Sequence, residues 1–156
     1  MIESSALMGA LLSIIHPEMF HTAMHAFSRL AANPEVSKEG TEVLEVLSSW
    51  SSPFSGYSLI SNRITPGHRD TSARPEVYDL LGTFGEYANG VLEFPGLGMT
   101  LDYPPGSLVA LCGKIIQHAV PEVNGNRVCI AHYMRANVHE RLQVPPVGWM
   151  TLDSYS

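Results

Sequence analysis

The sequence predicts a mainly β fold of jelly-roll or barrel type, preceded by helices. Three features carry this expectation. The first fifty or so residues space their apolar side chains helically; from Gly56 onward short apolar runs are broken by Gly, Pro and Asn; and about seven such runs crowd into about eighty residues, too close together for a parallel sheet with crossover helices.

The helices come first. Pro17 suits a first helical turn, Phe20, Ala23, Met24, Phe27 and Leu30 follow helical spacing, and Asn33-Pro34 ends the run. A further helix is expected over 38–50, with Val43, Val46, Leu47 and Trp50 on one face. Such stripes must pack on something, and the helices are expected to cover one face of the β core. Strands are expected over 57–64, 77–83, 90–94, 99–103, 107–112, 115–119 and 127–134, with turns at Pro95-Gly96, Pro104-Pro105-Gly106 and Asn124-Gly125.

A length of 156 residues suits one domain, a helical support region over 1–50 leading into a β core over 56–135. Apolar residues make up 45% of the chain and charged residues 15%, enough to build a core and too little charge for disorder. The net charge of -6 weighs against a general grip on nucleic acid, which needs many exposed Lys and Arg. Arg63, Arg69 and Arg74, three of the nine basic residues, nevertheless fall within twelve positions, either as a local positive mouth or as solvated loop residues. Cys112 and Cys129 sit in apolar runs as small hydrophobes and make no disulfide framework. The apolar segment 6–15 has no basic flank and is far short of the ~20 residues that span a bilayer. A soluble intracellular protein, cytoplasmic or nuclear, is expected.

His68-Arg69-Asp70 sets two ligand-type side chains two residues apart, on one side of an extended segment. A third ligand must come from elsewhere, and His118 is placed for it at the end of the strand expected over 115–119, just before Pro121. Two imidazoles and a carboxylate cover one face of an octahedral iron and leave positions for a co-substrate and O₂, although the same groups bind Mn, Co, Ni or Zn. His-x-Asp with a later His is a weak signal among seven histidines, and context must strengthen it. If Asn124 and Gly125 form a two-residue hairpin loop, His118 falls opposite Ala131. Arg127, Cys129, Ala131, Tyr133 and Arg135 then share its sheet face. A guanidinium there grips a carboxylate through two parallel hydrogen bonds, as the far end of a dicarboxylate co-substrate requires.

These pieces, with Asn89-Gly90-Val91-Leu92-Glu93-Phe94-Pro95, Pro105-Gly106-Ser107-Leu108-Val109, Gln117-His118-Ala119-Val120 and Asn126-Arg127-Val128-Cys129-Ile130, resemble in order the Fe(II)/2-oxoglutarate dioxygenase superfamily. Within it the sequence looks most like the ten-eleven-translocation and J-binding-protein (TET/JBP) branch, over roughly residues 57–135. The resemblance implies a double-stranded β-helix, a cupin-like jelly roll. It implies His68, Asp70 and His118 as Fe(II) ligands and Arg127 as the 2-oxoglutarate anchor, with O₂ as oxidant and hydroxylation of a C–H bond, such as that of 5-methylcytosine or thymine in DNA or of a related small molecule.

Substrate recognition departs from the branch. Where DNA-oxidising members carry an Asn three residues after the metal Asp stands Ala73; the base-stacking Tyr is kept as Tyr133; the following His is replaced by Arg135. An enzyme that takes a base out of the stack must also grip the duplex, and this short acidic chain has no obvious element for that. For a complete protein a free base, a nucleoside or another small molecule is as good an expectation as DNA, and for a piece of a larger one the DNA grip is expected outside it. Cys129 replaces the Ser or Thr often found two residues after the anchoring Arg; as a poor donor it implies weaker co-substrate binding.

Plainer roles stand beside several of these. His21 and His25, spaced i, i+4, read as the solvent flank of a helix, and His132 alternates out of phase with Arg127 and should face away from the site. Tyr133 serves either the core or the substrate, and Asn62 is a candidate partner for the keto-acid end of the co-substrate. Two other functional readings remain, a non-catalytic jelly-roll module that binds a metal or ligand, and a metal enzyme working without 2-oxoglutarate. The oligomeric state is not legible.

Overall fold

The computed structural model describes residues 2–155. They fall into two compact units, 2–55 with 134–155, and Gly56–Tyr133.

In the first unit α1 (Ile2–Ile15) runs to the boundary made by His16 and Pro17. Pro17 then opens α2 (Pro17–Ala32), where a missing N–H is harmless, and Nδ1 of His16 caps it by accepting from the Met19 amide. The buried stripe of α2 is Met19, Ala23 and Ala26, and Met24, expected on the inner face, is exposed. The helix expected over 38–50 is shorter: a 3-10 turn at Gly40–Glu42 takes up its start, and α3 spans Val43–Ser49. Glycine is a poor helix residue, which accounts for the late start. The sequence reading did not foresee α4 (Ala136–Arg141), which leads to Leu142 and Val144, packed with Ala26 in a small core. No helix among the described residues is long and apolar enough to cross a membrane.

The second unit is a jelly roll, a double-stranded β-helix of two four-stranded antiparallel sheets. Its strands are β1 (Gly56–Ser61), β2 (Thr65–His68), β3 (Asp79–Ala88), β4 (Val91–Phe94), β5 (Met99–Asp102), β6 (Leu108–Leu111), β7 (His118–Val120) and β8 (Asn124–Tyr133). One sheet has the order β1-β8-β3-β6 and the other β2-β7-β4-β5, so the chain passes repeatedly from sheet to sheet. Alternate side chains of both sheets meet in a core of Leu92, Phe94, Tyr103, Leu111 and Val120. Each such burial contributes roughly 1.5–3 kcal/mol.

Three expectations about this unit are corrected. The strand expected over 57–64 stops at Ser61: Asn62, Arg63 and Ile64 link β1 to β2, which begins at Thr65 in the other sheet. The strand expected over 115–119 begins only at His118, because Gly113 to Ile116 form a turn closed by the Ile115 and Ile116 amides on the Cys112 carbonyl. His118 therefore opens β7 rather than ending a strand. Nor is Asn124-Gly125 a hairpin loop: both residues lie inside β8 and pair with Ala88 and Tyr87 of β3. Gly125 holds a φ of +118, and a Cβ there would stand 2.4 Å from the Glu86 carbonyl, so the glycine serves close strand pairing. His118 is paired with His68, and the expected His118–Ala131 register does not form.

Candidate metal and co-substrate site

His68 is the last residue of β2, Asp70 lies in the loop that follows, and His118 faces His68 across the β2–β7 pair. Two loops clasp each other around them. The Asp70 amide donates to the Gly113 carbonyl at 2.9 Å, Arg69 Nε donates to the Ile115 carbonyl at 2.8 Å, and Lys114 Nζ donates to the Thr71 carbonyl. The backbone thus brings three ligand-type side chains together before any ion arrives.

One ligand atom from each of His68, Asp70 and His118 lies within 4.8 Å of the others, the one such group among the described residues. Asp70 sets Oδ1 3.6 Å from Nε2 of His68 and Oδ2 3.7 Å from Nε2 of His118. Each imidazole is oriented from behind: Nδ1 of His68 lies 3.0 Å from the Pro66 carbonyl and Nδ1 of His118 3.0 Å from the Ile116 carbonyl. A carbonyl only accepts, so Nδ1 carries a proton in both rings and Nε2 is the atom turned toward the cluster. This donor set fits a divalent first-row metal. The His118 side chain is 8% exposed but those of His68 and Asp70 are 40% exposed, so the cluster is walled on one side and open on the other.

Val120 belongs to the core between the sheets, and His118, two residues earlier on the strand, points to the same side. On the opposing sheet β8 sends Arg127 and Cys129 inward. Arg127 is 3% exposed, its guanidinium carbon lies 5.0 Å above the Tyr103 ring, and its Nε donates to Thr83 Oγ1 at 3.0 Å. Burial pushes the Cys129 thiol up, with Arg127 pulling the other way, and burial also raises the Tyr103 phenol. Both stay protonated at neutral pH, so the Arg127 charge is not cancelled by either neighbour.

The remaining candidates are distributed differently. Asn62 turns its side chain to β8, where Oδ1 accepts from the Arg127 amide at 2.7 Å and Nδ2 donates to Asn126 Oδ1 at 3.2 Å; its own amide donates to the Arg127 carbonyl. Tyr133 shares the β8 face of Arg127 by alternation, lays its ring against Gly56, and reaches Ser58 Oγ at 3.3 Å. Arg135 caps α4 in the other unit, its amide donating to Ser55 Oγ. His132 is buried on the opposite face of β8, with its ring near Tyr57. Of the three clustered arginines, Arg69 is tied to the Ile115 carbonyl and Arg74 pairs with Glu76 at 3.5 Å. Sequence reasoning missed Thr83 and Tyr103. A hydroxyl inside the apolar strand run was the available signal, since a buried hydroxyl requires a partner.

Comparisons with known proteins bear on this arrangement. A search of curated proteins finds no significant match. Among solved structures the chain is similar to NgTET1 in complex with 5mC DNA, at 16% identity and a TM-score of 0.50, over 80% of this chain and 55% of that one. The chain thus spans about half the length of that protein, and at this identity the likeness concerns the fold. Residues 1–136 match the Tet/JBP family, described as the oxygenase domain of the 2OGFeDO superfamily. With a jelly roll and a His-Asp-His cluster in place, the chain belongs to the Tet/JBP family of oxygenase domains in the 2-oxoglutarate/Fe(II) superfamily.

Proposed function

We propose that residues 1–156 act as one Fe(II)- and 2-oxoglutarate-dependent oxygenase domain that hydroxylates a C–H bond. His68, Asp70 and His118 would hold the metal, and Arg127 would hold the distal carboxylate of 2-oxoglutarate. The observation that carries this reading is the His68–Asp70–His118 cluster, with both Nδ1 atoms committed to carbonyls and both Nε2 atoms turned to Asp70. Bound there with 2-oxoglutarate and O₂, Fe(II) supplies the oxidation of a C–H bond, with succinate and CO₂ as the co-products.

The chain's own residues bind and orient. The Pro66 and Ile116 carbonyls hold Nδ1 of each ring and so aim Nε2 at the cluster. Arg127, held over Tyr103, offers a buried cation to a carboxylate, where a charge-assisted bond is strong. The exposed side of His68 and Asp70 leaves the approach for substrate.

For the substrate we favour a methylated nucleobase or a related small molecule. Family membership and the 5mC DNA complex of NgTET1 support a nucleobase. Tyr133, braced against Gly56, offers a flat ring for a planar base. Ala73 in place of an Asn leaves a free base or nucleoside as good a candidate as a base in DNA.

Anaerobic titration of the Fe(II)-loaded protein with 2-oxoglutarate tests this through the visible charge-transfer band of a chelated keto acid. The band should appear in wild type, vanish in His68→Ala and need much more 2-oxoglutarate in Arg127→Ala. A well-folded, iron-loaded wild type without the band would sink the oxygenase reading and leave a non-catalytic binding module.

A further inference from the structure

We infer that Thr83 and Tyr87 of β3 are positioning residues that fix Arg127 through a one-way chain of hydrogen bonds ending on the Tyr103 carbonyl. This rests on the reading of Arg127 as the co-substrate anchor and adds what aims it.

The direction of the chain follows from which groups can donate. Arg127 has only donors, so Thr83 Oγ1, at 3.0 Å from its Nε, accepts. Tyr87 Oη donates its single proton to the Tyr103 carbonyl at 2.7 Å, since a carbonyl only accepts. In the 3.0 Å contact between Thr83 Oγ1 and Tyr87 Oη, Thr83 must therefore donate. Each hydroxyl gives one bond and takes one, and the order cannot reverse.

The parts are built for this. Thr83 is fully buried, and a buried hydroxyl without a partner is destabilising, so breaking any link is felt along the chain. The Tyr103 that receives the last bond also lies beneath the Arg127 guanidinium, closing a loop from β8 through β3 to the end of β5 and back. Gly90 makes the room: a Cβ there would stand 2.6 Å from the Tyr87 ring and 2.5 Å from the Tyr103 carbonyl. The Tyr103 amide in turn donates to the Gly90 carbonyl at 2.8 Å. Cys129, at the place of a more usual hydroxyl beside the anchor, lies 3.9 Å from Tyr103 Oη as a weak partner, so the strong hydroxyl contact to Arg127 comes from the neighbouring strand.

The test uses the full chain loaded with Fe(II) under anaerobic conditions. Two keto acids are titrated separately, 2-oxoglutarate and 2-oxobutanoate, which lacks the distal carboxylate, and the visible band and a thermal unfolding scan are recorded. Thr83→Val should weaken 2-oxoglutarate binding about tenfold and leave 2-oxobutanoate unchanged, Thr83→Ser should restore it, and Tyr87→Phe should weaken it about three- to fivefold. If Thr83→Val does not fold, Tyr87→Phe, which keeps its ring, decides. Variants that bind 2-oxoglutarate as wild type does, or that lose both keto acids equally, overturn the inference alone. A wild type that binds neither keto acid overturns it together with the oxygenase reading.

Discussion

A Cβ placed on Gly113 would stand 2.2 Å from Oδ2 of Asp70 and 3.0 Å from Oδ2 of Asp79, so the Asp70 carboxylate occupies space that any other residue at 113 would need. The Gly113 carbonyl also accepts the Asp70 amide, which pins the loop and leaves the side chain to absorb the clash. Gly113→Ala should therefore keep the fold while turning Asp70 away from His68 and His118. Metal affinity should fall on the order of 10- to 100-fold, as for other losses of ligand orientation. Titration with Co(II), followed by absorbance beside a far-UV CD spectrum, would decide, and a folded variant with wild-type affinity would refute the claim.

Arg127→Lys keeps the charge but loses the Nε–H that Thr83 accepts and the planar fork that matches a carboxylate. The loss should be about 2 kcal/mol of 2-oxoglutarate binding, roughly a factor of 30. Calorimetric titration into the metal-loaded protein measures it. Equal affinity in the Lys variant would mean that Arg127 acts as a point charge only.

Asn62 separates a structural from a cofactor role. It stands at φ +49 at the end of β1, and its side chain bonds both the Arg127 amide and Asn126, which ties this end of β1 to β8. Asn62→Ala loses both side-chain bonds and must hold a left-handed backbone, so unfolding free energy should drop by about 2–3 kcal/mol. Asn62→Gly relieves the backbone and should lose less. Urea denaturation gives both values. A stable Asn62→Ala with a specific defect in keto-acid binding would return Asn62 to the co-substrate.

What was legible in the sequence follows from how local each signal is. Helix starts such as Pro17 and turns such as Pro95-Gly96 are written in a few residues, and the β class of the second unit came from their density. Strand partners are not written locally. Asn124-Gly125 has the composition of a hairpin loop, yet β7 and β8 lie in different sheets, because packing between the sheets chooses the partner. The inward face of Arg127 survives that error, since alternation along one strand needs no partner. The His68, Asp70 and His118 cluster was legible through the ordered motifs around it, since His-x-Asp with a later His is a weak signal by itself. Thr83, Tyr87 and Gly113 were not, because a strand hydroxyl, an aromatic ring and a loop glycine are ordinary until distances give them a task.

His132 gives the protein a pH dependence of known sign. Burial lowers its pKa below the ordinary 6.5, with the Ile130 and Leu80 backbone opposing the shift. The folded state thus holds a neutral ring while the unfolded chain takes up a proton below about pH 6.5. The stability it contributes is complete above that value and is lost as pH falls toward the depressed folded pKa. The informative quantity is the difference between wild type and His132→Gln, which removes this group alone. Between pH 7.5 and 5.5 wild type should lose more unfolding free energy than the variant. Parallel pH profiles would mean that His132 binds its proton equally well folded and unfolded.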